Sequence, residues 1–402
     1  MLKITKRAKA ISPSLTLAIT AKAKKLKAEG VDVIGFGAGE PDFNTPDYII
    51  EAAKKALDIG FTKYTPSAGM PELRKAISEK FAKDNGLNYL PEQIVVSNGA
   101  KQSLFNCFQV IVEEGDEVIL PTPYWLTYPE LIRICGGTPV AVRTDASSGY
   151  KMTAEQLKNA ITDKTVAVVL NSPNNPTGAV YTKDELQAIA DVLKQFPDVY
   201  VIADEIYEKL VYDGYRRDSF AALGEDAYRR TFTINGFSKA YSMTGWRVGY
   251  VGAPTAELAK AMDGLQSHES SNANSIAQYA SVVALSGGED FMRSMNETYD
   301  RRHKLMMRLL NDTPFVQPVE GHGTFYVMAD VSEMFGKSFE GTVIRDAIHL
   351  GELLIDHAKI AVIPMTPFGE PNCIRLSYAI SDENIAEGCR RLKVFAESLK
   401  SC

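Results

Sequence analysis

The chain has 402 residues, 45% of them apolar and 23% charged, an ordinary globular composition with enough length for a large buried core. Its formal net charge of −6 argues against nucleic acid as the main partner. Five scattered cysteines (Cys107, Cys135, Cys373, Cys389, Cys402) contain no CxxC pair, which speaks against a disulfide framework, and no apolar run has the length of a membrane span.

The first residues, MLKITKRAKAISPSL, are basic but lead into no apolar signal-peptide core, so a soluble cytoplasmic protein is expected. An amphipathic helix, SLTLAITAKAKKLKAEG, ends at Gly30. A second, TPDYIIEAAKKALDIG, takes Thr45 as N-cap and Pro46 at its first position, and stops at Gly60. Strand-like and helix-like segments then alternate. QIVVS precedes AKQSLFNCFQVIVEEG, EVIL precedes PYWLTYPELIRICG, and TVAVVL precedes TKDELQAIADVLKQF, with VYVIAD and TFTIN to follow. Continuous apolar runs of this kind belong to a parallel sheet covered by helices on both faces. They predict a doubly wound α/β domain over the middle two-thirds of the chain. After about Pro254 long helices take over, including FMRSMNETYDRRHKLMMRLL. The strand-like pieces GTFYVMAD, AVIP and CIRLSYAI then return, with a last helix after Asp382, so a second α+β domain is expected.

Ligands of open parallel sheets bind beyond the carboxyl ends of the strands, and here those ends are polar or glycine-rich. IVVS runs into NGAKQ, where Asn98 reads as an N-cap or Gly99 and Ala100 as an anion site at a helix N-terminus. Lys101 in the first helical turn opposes the helix dipole unless an anion lies nearby. VYVIADEIY drives Asp204 off the end of an apolar strand, either to cap the DEIYEKL helix or to meet a cationic ligand, with Tyr207 on the same face. Lys239 stands in GFSKAYSMTGWRVGY, a Gly- and Ser-rich turn away from any charge run, with Arg247 close behind. A lysine desolvated near other cations becomes a nucleophile toward aldehydes, and Arg247 suits a phosphate. An aldehyde held by lysine, a phosphate at a helix N-terminus and an Asp for a ring nitrogen together describe the binding pattern of pyridoxal 5'-phosphate.

NSPNNPTG, DEIY and SKAYSMTGWRVGY resemble the class I, fold-type I pyridoxal-phosphate aminotransferases, bacterial aspartate aminotransferases in particular. The likeness runs in order through SPSLTLAI, GFGAGEPDFNTP, KYTPSAGMPELR, PYWLTYPE and IRLSYA. It implies a large domain with a mostly parallel seven-stranded sheet sandwiched by helices, plus a smaller α+β domain. The expected division is an N-terminal arm with part of the small domain over 1–45, the large cofactor domain over 46–290, and the C-terminal small domain over 291–402.

By the same resemblance Lys239 is the Schiff-base lysine and proton shuttle, and Asp204 pairs with the pyridinium nitrogen. Tyr207 and Asn175 bond the phenolic oxygen, and Trp125 covers the ring, although a core aromatic in an apolar helix is its plain alternative. Arg247 with the amides of Gly99, Ala100 and Lys101 holds the phosphate, joined by Tyr64 from a neighbouring subunit of a homodimer. Arg375 grips the substrate α-carboxylate with Asn175, Trp125 and the backbone at Gly39. Lys101, Ser14 and Thr16 contact a side-chain carboxylate, which favours aspartate, glutamate and their 2-oxo acids. Prephenate, aromatic or alanine-type substrates are the alternative, the first disfavoured by Ser12 where prephenate users carry lysine. Many relatives have a serine where this chain has Gly236, and Ser238 is the expected substitute. A cofactor-sensing transcription regulator would need a DNA-binding module ahead of GFGAGEPDF, and only a short arm precedes that segment.

Overall fold

The computed structural model describes residues 3–401; Cys402 lies outside the described residues. Its centre is a seven-stranded sheet of β1 (Ile94–Ser97), β2 (Glu117–Pro121), β3 (Thr138–Val142), β4 (Thr165–Asn171), β5 (Tyr200–Asp204), β6 (Thr231–Gly236) and β7 (Gly249–Gly252). The spatial order is β1-β7-β6-β5-β4-β2-β3, and only the pairings of β7 with β1 and β6 are antiparallel. Successive side chains point to opposite faces of the sheet, and both faces are buried. Val118 and Leu120 pack in one apolar cluster with Ala167 and Val169, whereas Ile119 packs in another with Val168 and Leu170. A mostly parallel seven-stranded sheet buried on both faces is therefore what the chain adopts, as expected.

Two strands escape the apolar-run signal. TPVAV (β3) is half-buried at the sheet edge, and GYVG (β7) carries two glycines, so neither reads as a buried run.

The helices used below are α1 (Leu15–Ala28), α2 (Asp47–Asp58), α3 (Pro71–Lys80), α4 (Ala100–Ile111), α5 (Thr127–Ile134), α6 (Lys183–Leu193), α7 (Glu289–Asn311) and α8 (Asp382–Glu397). Three sequence expectations are corrected. The cap of α2 is Pro46, not Thr45, whose hydroxyl instead donates to the Ser242 carbonyl across 2.7 Å. Helix α5 starts at Thr127, so Trp125 stands in the loop ahead of it; the Tyr124 N–H is drawn off to the Phe368 carbonyl at 3.0 Å. After Asp204 the chain makes a compact turn rather than the expected helix.

A smaller antiparallel sheet is formed by β8 (Gln317–Pro318), β9 (Tyr326–Asp330), β10 (Ile363–Pro364) and β11 (Cys373–Ser377), in the order β10-β11-β9-β8. Helices α7 and α8 pack on it around Met295, Tyr299, Ile374 and Leu392. Cys107, Cys373 and Cys389 are buried thiols. Among the described residues no helix is long and apolar enough to cross a membrane.

Candidate active site

The carboxyl ends of β1, β4, β5 and β6 open into one cavity of about 670 Å³, closed on the other side by α1 and β11. Its wall carries six cationic side chains, Lys24, Lys27, Lys101, Lys239, Arg247 and Arg375, against two carboxylates, Glu40 and Asp204. Cations crowded into one partly desolvated space repel one another unless an anion joins them.

Lys239 lies just past β6, half-buried, and its Nζ donates to the Gly39 carbonyl. Burial lowers its pKa to about 8; Glu40 opposes that effect, while Arg375 and Arg247 add to it. An amine in that range is about a tenth unprotonated at pH 7, far more than an ordinary lysine, and is correspondingly nucleophilic. Its Nζ also sits 5.7 Å from the Tyr207 ring centre.

Asp204, the last residue of β5, is buried and raised to about 6 by that burial. The Tyr128 hydroxyl donates to its Oδ2 at 2.7 Å and the Ile206 N–H to its Oδ1 at 3.2 Å, both favouring the ionised form. The Asn171 amide donates to the Asp204 carbonyl at 2.9 Å, and Asn171 Oδ1 accepts the Asn175 N–H at 2.8 Å. These two bonds tie the end of β5 to the loop after β4.

The phosphate-binding expectation rests on three chain segments that come unusually close. Gly99, not Asn98, caps α4, and it does so at φ +83°, a conformation other residues resist. A Cβ at Gly99 would lie 2.4 Å from Arg247 Nη2, and one at Gly249 would lie 2.1 Å from the Ala100 nitrogen. Arg247 itself adopts φ +56° and spends its guanidinium on the carbonyls of Thr244 (2.8 Å) and Asn98 (3.3 Å). The Gln102 N–H already returns to the Gly99 carbonyl, whereas the N–H groups of Ala100 and Lys101 precede any intrahelical acceptor. Ser238 lines the cavity beside them. Gly236 pairs with Gly249 across β6 and β7, and a Cβ there would stand 3.0 Å from the Gly249 Cα. A side chain at Gly236 would thus crowd the backbone packing that brings Arg247 to α4.

Arg375 is 2% exposed, although an arginine between Ile374 and Leu376 would ordinarily face water. Its Nη1 donates to Asn175 Oδ1 at 2.9 Å and its Nη2 reaches the Gly37 carbonyl at 3.5 Å, while Nε has no partner. The Tyr326 ring lies 4.1 Å from the guanidinium carbon, and the Tyr326 hydroxyl meets that of Tyr207 at 3.1 Å. Burial holds the Tyr207 phenol well above its ordinary range.

Lys101 points over Trp125, 4.8 Å from the ring centre, and burial together with Arg247 lowers its pKa. Ser14 caps α1, its Oγ accepting the Leu17 N–H at 3.4 Å; Thr16 presents a buried hydroxyl without a partner, and both line the cavity. Tyr64 is 90% exposed and stands outside the cavity of its own chain. Sequence reasoning missed Tyr128 and Tyr326, which orient Asp204 and Arg375. The spacing of Tyr128, three residues after Trp125, was the available signal.

The chain matches the family described as aminotransferase class I and II over residues 31–392. It is 47% identical over 394 residues to an aspartate aminotransferase of Bacillus sp. (strain YM-2), covering 98% of this chain and 99% of the relative. The crystal structure of the aspartate aminotransferase from Rhizobium meliloti superposes with a TM-score of 0.95 at 43% identity, covering all of both chains. The Thermus thermophilus aspartate aminotransferase with maleate gives 0.92 at 42% identity, covering 98% of this chain and 100% of the other. With identity of this order sustained end to end, the chain belongs to the class I and II aminotransferases.

Proposed function

We propose that the protein is a pyridoxal 5'-phosphate-dependent aspartate aminotransferase, moving an amino group from L-aspartate to 2-oxoglutarate in two half-reactions. The observation that carries the reading is Arg375: a buried guanidinium with an unpartnered Nε, opening on the same cavity as Lys239 and Asp204. A buried charge of this kind calls for a carboxylate, and the fork geometry suits one in bidentate contact.

The residues present also fit the cofactor. The space that a Cβ at Gly99 would fill, the N–H groups of Ala100 and Lys101, Ser238 and Arg247 are suited to its phosphate. Asp204 is suited to its ring nitrogen, Tyr207 and Asn175 to its phenolic oxygen, Trp125 to its ring face, and Lys239 to its aldehyde carbon. When bound, pyridoxal phosphate supplies a carbonyl for the substrate amine and an electron sink for the pair left at Cα. Asp204 Oδ2, held by Tyr128, keeps negative charge at one fixed point. Lys239 Nζ, with its basicity lowered to about 8, is matched to taking a proton from the substrate Cα and returning it.

Arg375 with Asn175 binds the α-carboxylate, assisted by the backbone at Gly39. Lys101, Ser14 and Thr16 would take the distal carboxylate, in line with the aspartate aminotransferases among the relatives and the dicarboxylate maleate with the Thermus enzyme. The reading includes a homodimer in which Tyr64 serves the neighbouring cavity, supported by its 90% exposure away from its own. The test is a half-reaction screen of the purified, cofactor-loaded protein across amino acids, following loss of the visible absorption. Aspartate and glutamate are expected to react fastest; faster reaction with alanine or aromatic amino acids would overturn the substrate assignment.

A further inference from the structure

Behind the turn that carries Asp204 and Tyr207 lies a second group of charges that takes no part in the cavity. Helix α3 ends in a single π-type turn, Phe81–Asn85, and Lys80, Asp84 and Asn85 there meet the turn that follows β5. The Asn85 amide nitrogen donates to Glu205 Oε2 at 3.0 Å and to Glu208 Oε2 at 3.1 Å. Arg217 spans the same two carboxylates, with Nη1 on Glu205 at 2.6 Å and Nη2 on Glu208 at 3.1 Å. Ser219 donates to Glu205 Oε1 at 2.6 Å, and Lys80 pairs with Glu208. The side chains of Lys80, Glu205, Glu208 and Arg217 are all less than a tenth exposed.

The chain alternates between the two environments. Asp204 and Tyr207 line the cavity, while Glu205 and Glu208 enter the buried cluster. The turn between them is not a helix; the Glu208 N–H bonds the Glu205 carbonyl at 2.9 Å and the Leu210 N–H the Tyr207 carbonyl at 2.8 Å. So few local bonds leave its shape to the side chains. For stability alone, well-packed apolar residues serve as well as buried ion pairs or better. What a fully satisfied polar cluster adds is one fixed geometry. Single π-turns of the kind that presents Asn85 occur often at functional sites.

We propose that Asn85 and Arg217, acting through Glu205 and Glu208, are positioning residues that set Asp204 and Tyr207 for the cofactor ring. The inference rests on the roles proposed above for those two residues.

The test uses the full-length protein with Glu205→Gln and Asn85→Ala. Three readouts are taken: affinity of the cofactor-free protein for pyridoxal phosphate by fluorescence, the pH midpoint of the visible absorption of the loaded protein, and kcat against KM for aspartate. The expected result is cofactor affinity weakened by about tenfold and an absorption midpoint moved by about half a unit or more. The same variants should lower kcat by about tenfold with KM held within about twofold, since Arg375 and Lys101 are untouched. Should Glu205→Gln not fold, Arg217→Lys, which keeps the charge and loses the fork, gives the same readouts. Variants that melt at a lower temperature but keep wild-type cofactor affinity and absorption midpoint would overturn the proposal and leave the cluster purely structural. A wild type that neither binds pyridoxal phosphate nor transaminates would strike the functional reading itself, a different outcome from an active wild type matched by its variants.

Discussion

Arg375 on β11 and Asn175 beyond β4, 200 positions apart in the chain, meet at 2.9 Å, Nη1 to Oδ1. The bond joins the small sheet to the large one at the point where an α-carboxylate is expected. It leaves Nε and part of the fork for a ligand, so the guanidinium is oriented before substrate arrives.

Arg375→Ala is therefore expected to lower kcat/KM for every amino acid and 2-oxo acid tested, by roughly two orders of magnitude or more. Arg375→Lys should recover little of the loss, because the ammonium has no planar fork. Steady-state kinetics with aspartate and alanine check this; a loss confined to dicarboxylic substrates would place the α-carboxylate elsewhere.

Lys101→Ala should separate the two carboxylates. Dicarboxylic substrates are expected to lose about tenfold to a hundredfold in kcat/KM, with alanine changed by no more than about twofold. Equal losses for both would show that Lys101 serves the phosphate or the fold rather than the distal carboxylate.

Lys239, lowered to about 8, should be the most reactive lysine of the cofactor-free protein. At pH 8 about half of it is free amine, against well under a hundredth of an ordinary lysine. Limited acylation followed by peptide mapping should mark the 236–250 segment first. Borohydride added with pyridoxal phosphate should fix the cofactor to the same peptide, and labelling elsewhere would remove the central assignment.

Stability of the cofactor-free protein should carry the signature of Asp204. Its pKa rises from 3.8 to about 6 on folding, so the folded state holds the proton longer. The favourable contribution is complete below pH 3.8 and is lost as pH rises through about 6. Denaturation measured from pH 4 to pH 7 should show Asp204→Asn gaining on the wild type as pH rises. A constant difference across that range would mean that Asp204 is not desolvated. Lys239, depressed from 10.5, works in the opposite sense: its contribution is present above pH 10.5 and is lost as pH falls through about 8.

Gly236→Ser tests whether the missing hydroxyl can simply be restored. Its Cβ would press on the Gly249 Cα at 3.0 Å and on Ile206 Cδ1 and the Val248 carbonyl at 3.2 Å. Overpacking of this kind costs about 1 to 3 kcal/mol. The expected result is a lower melting temperature and weaker cofactor retention; tighter binding would show that Ser238 does not fill the role.

The parts of the site legible in the sequence were those set by strand ends. Asp204, Lys239 and Asn175 follow apolar runs, and their polarity is visible against them. What stayed hidden came from tertiary contacts. Trp125 leaves its helix because Phe368, far along the chain, takes the Tyr124 N–H. Tyr128 reads as a buried helix residue and only its hydroxyl, 2.7 Å from Asp204, reveals another use. Strand β7 was invisible because its glycines, which make room for Tyr89 at Gly252 and for the Ala100 nitrogen at Gly249, erase the apolar pattern.

That antiparallel strand also fixes when the site can come into being. On the growing chain β1 appears early, but the partner of Ser97 is Gly249, and β2 through β6 must be made first. Until the hairpin between β6 and β7 returns, nothing holds Arg247 over the start of α4. Long-range closure of this kind is slow relative to local structure. The proposed anion site at α4 thus assembles as one late event during synthesis, and a nascent chain stopped short of Gly249 lacks the pairing that brings Arg247 to it.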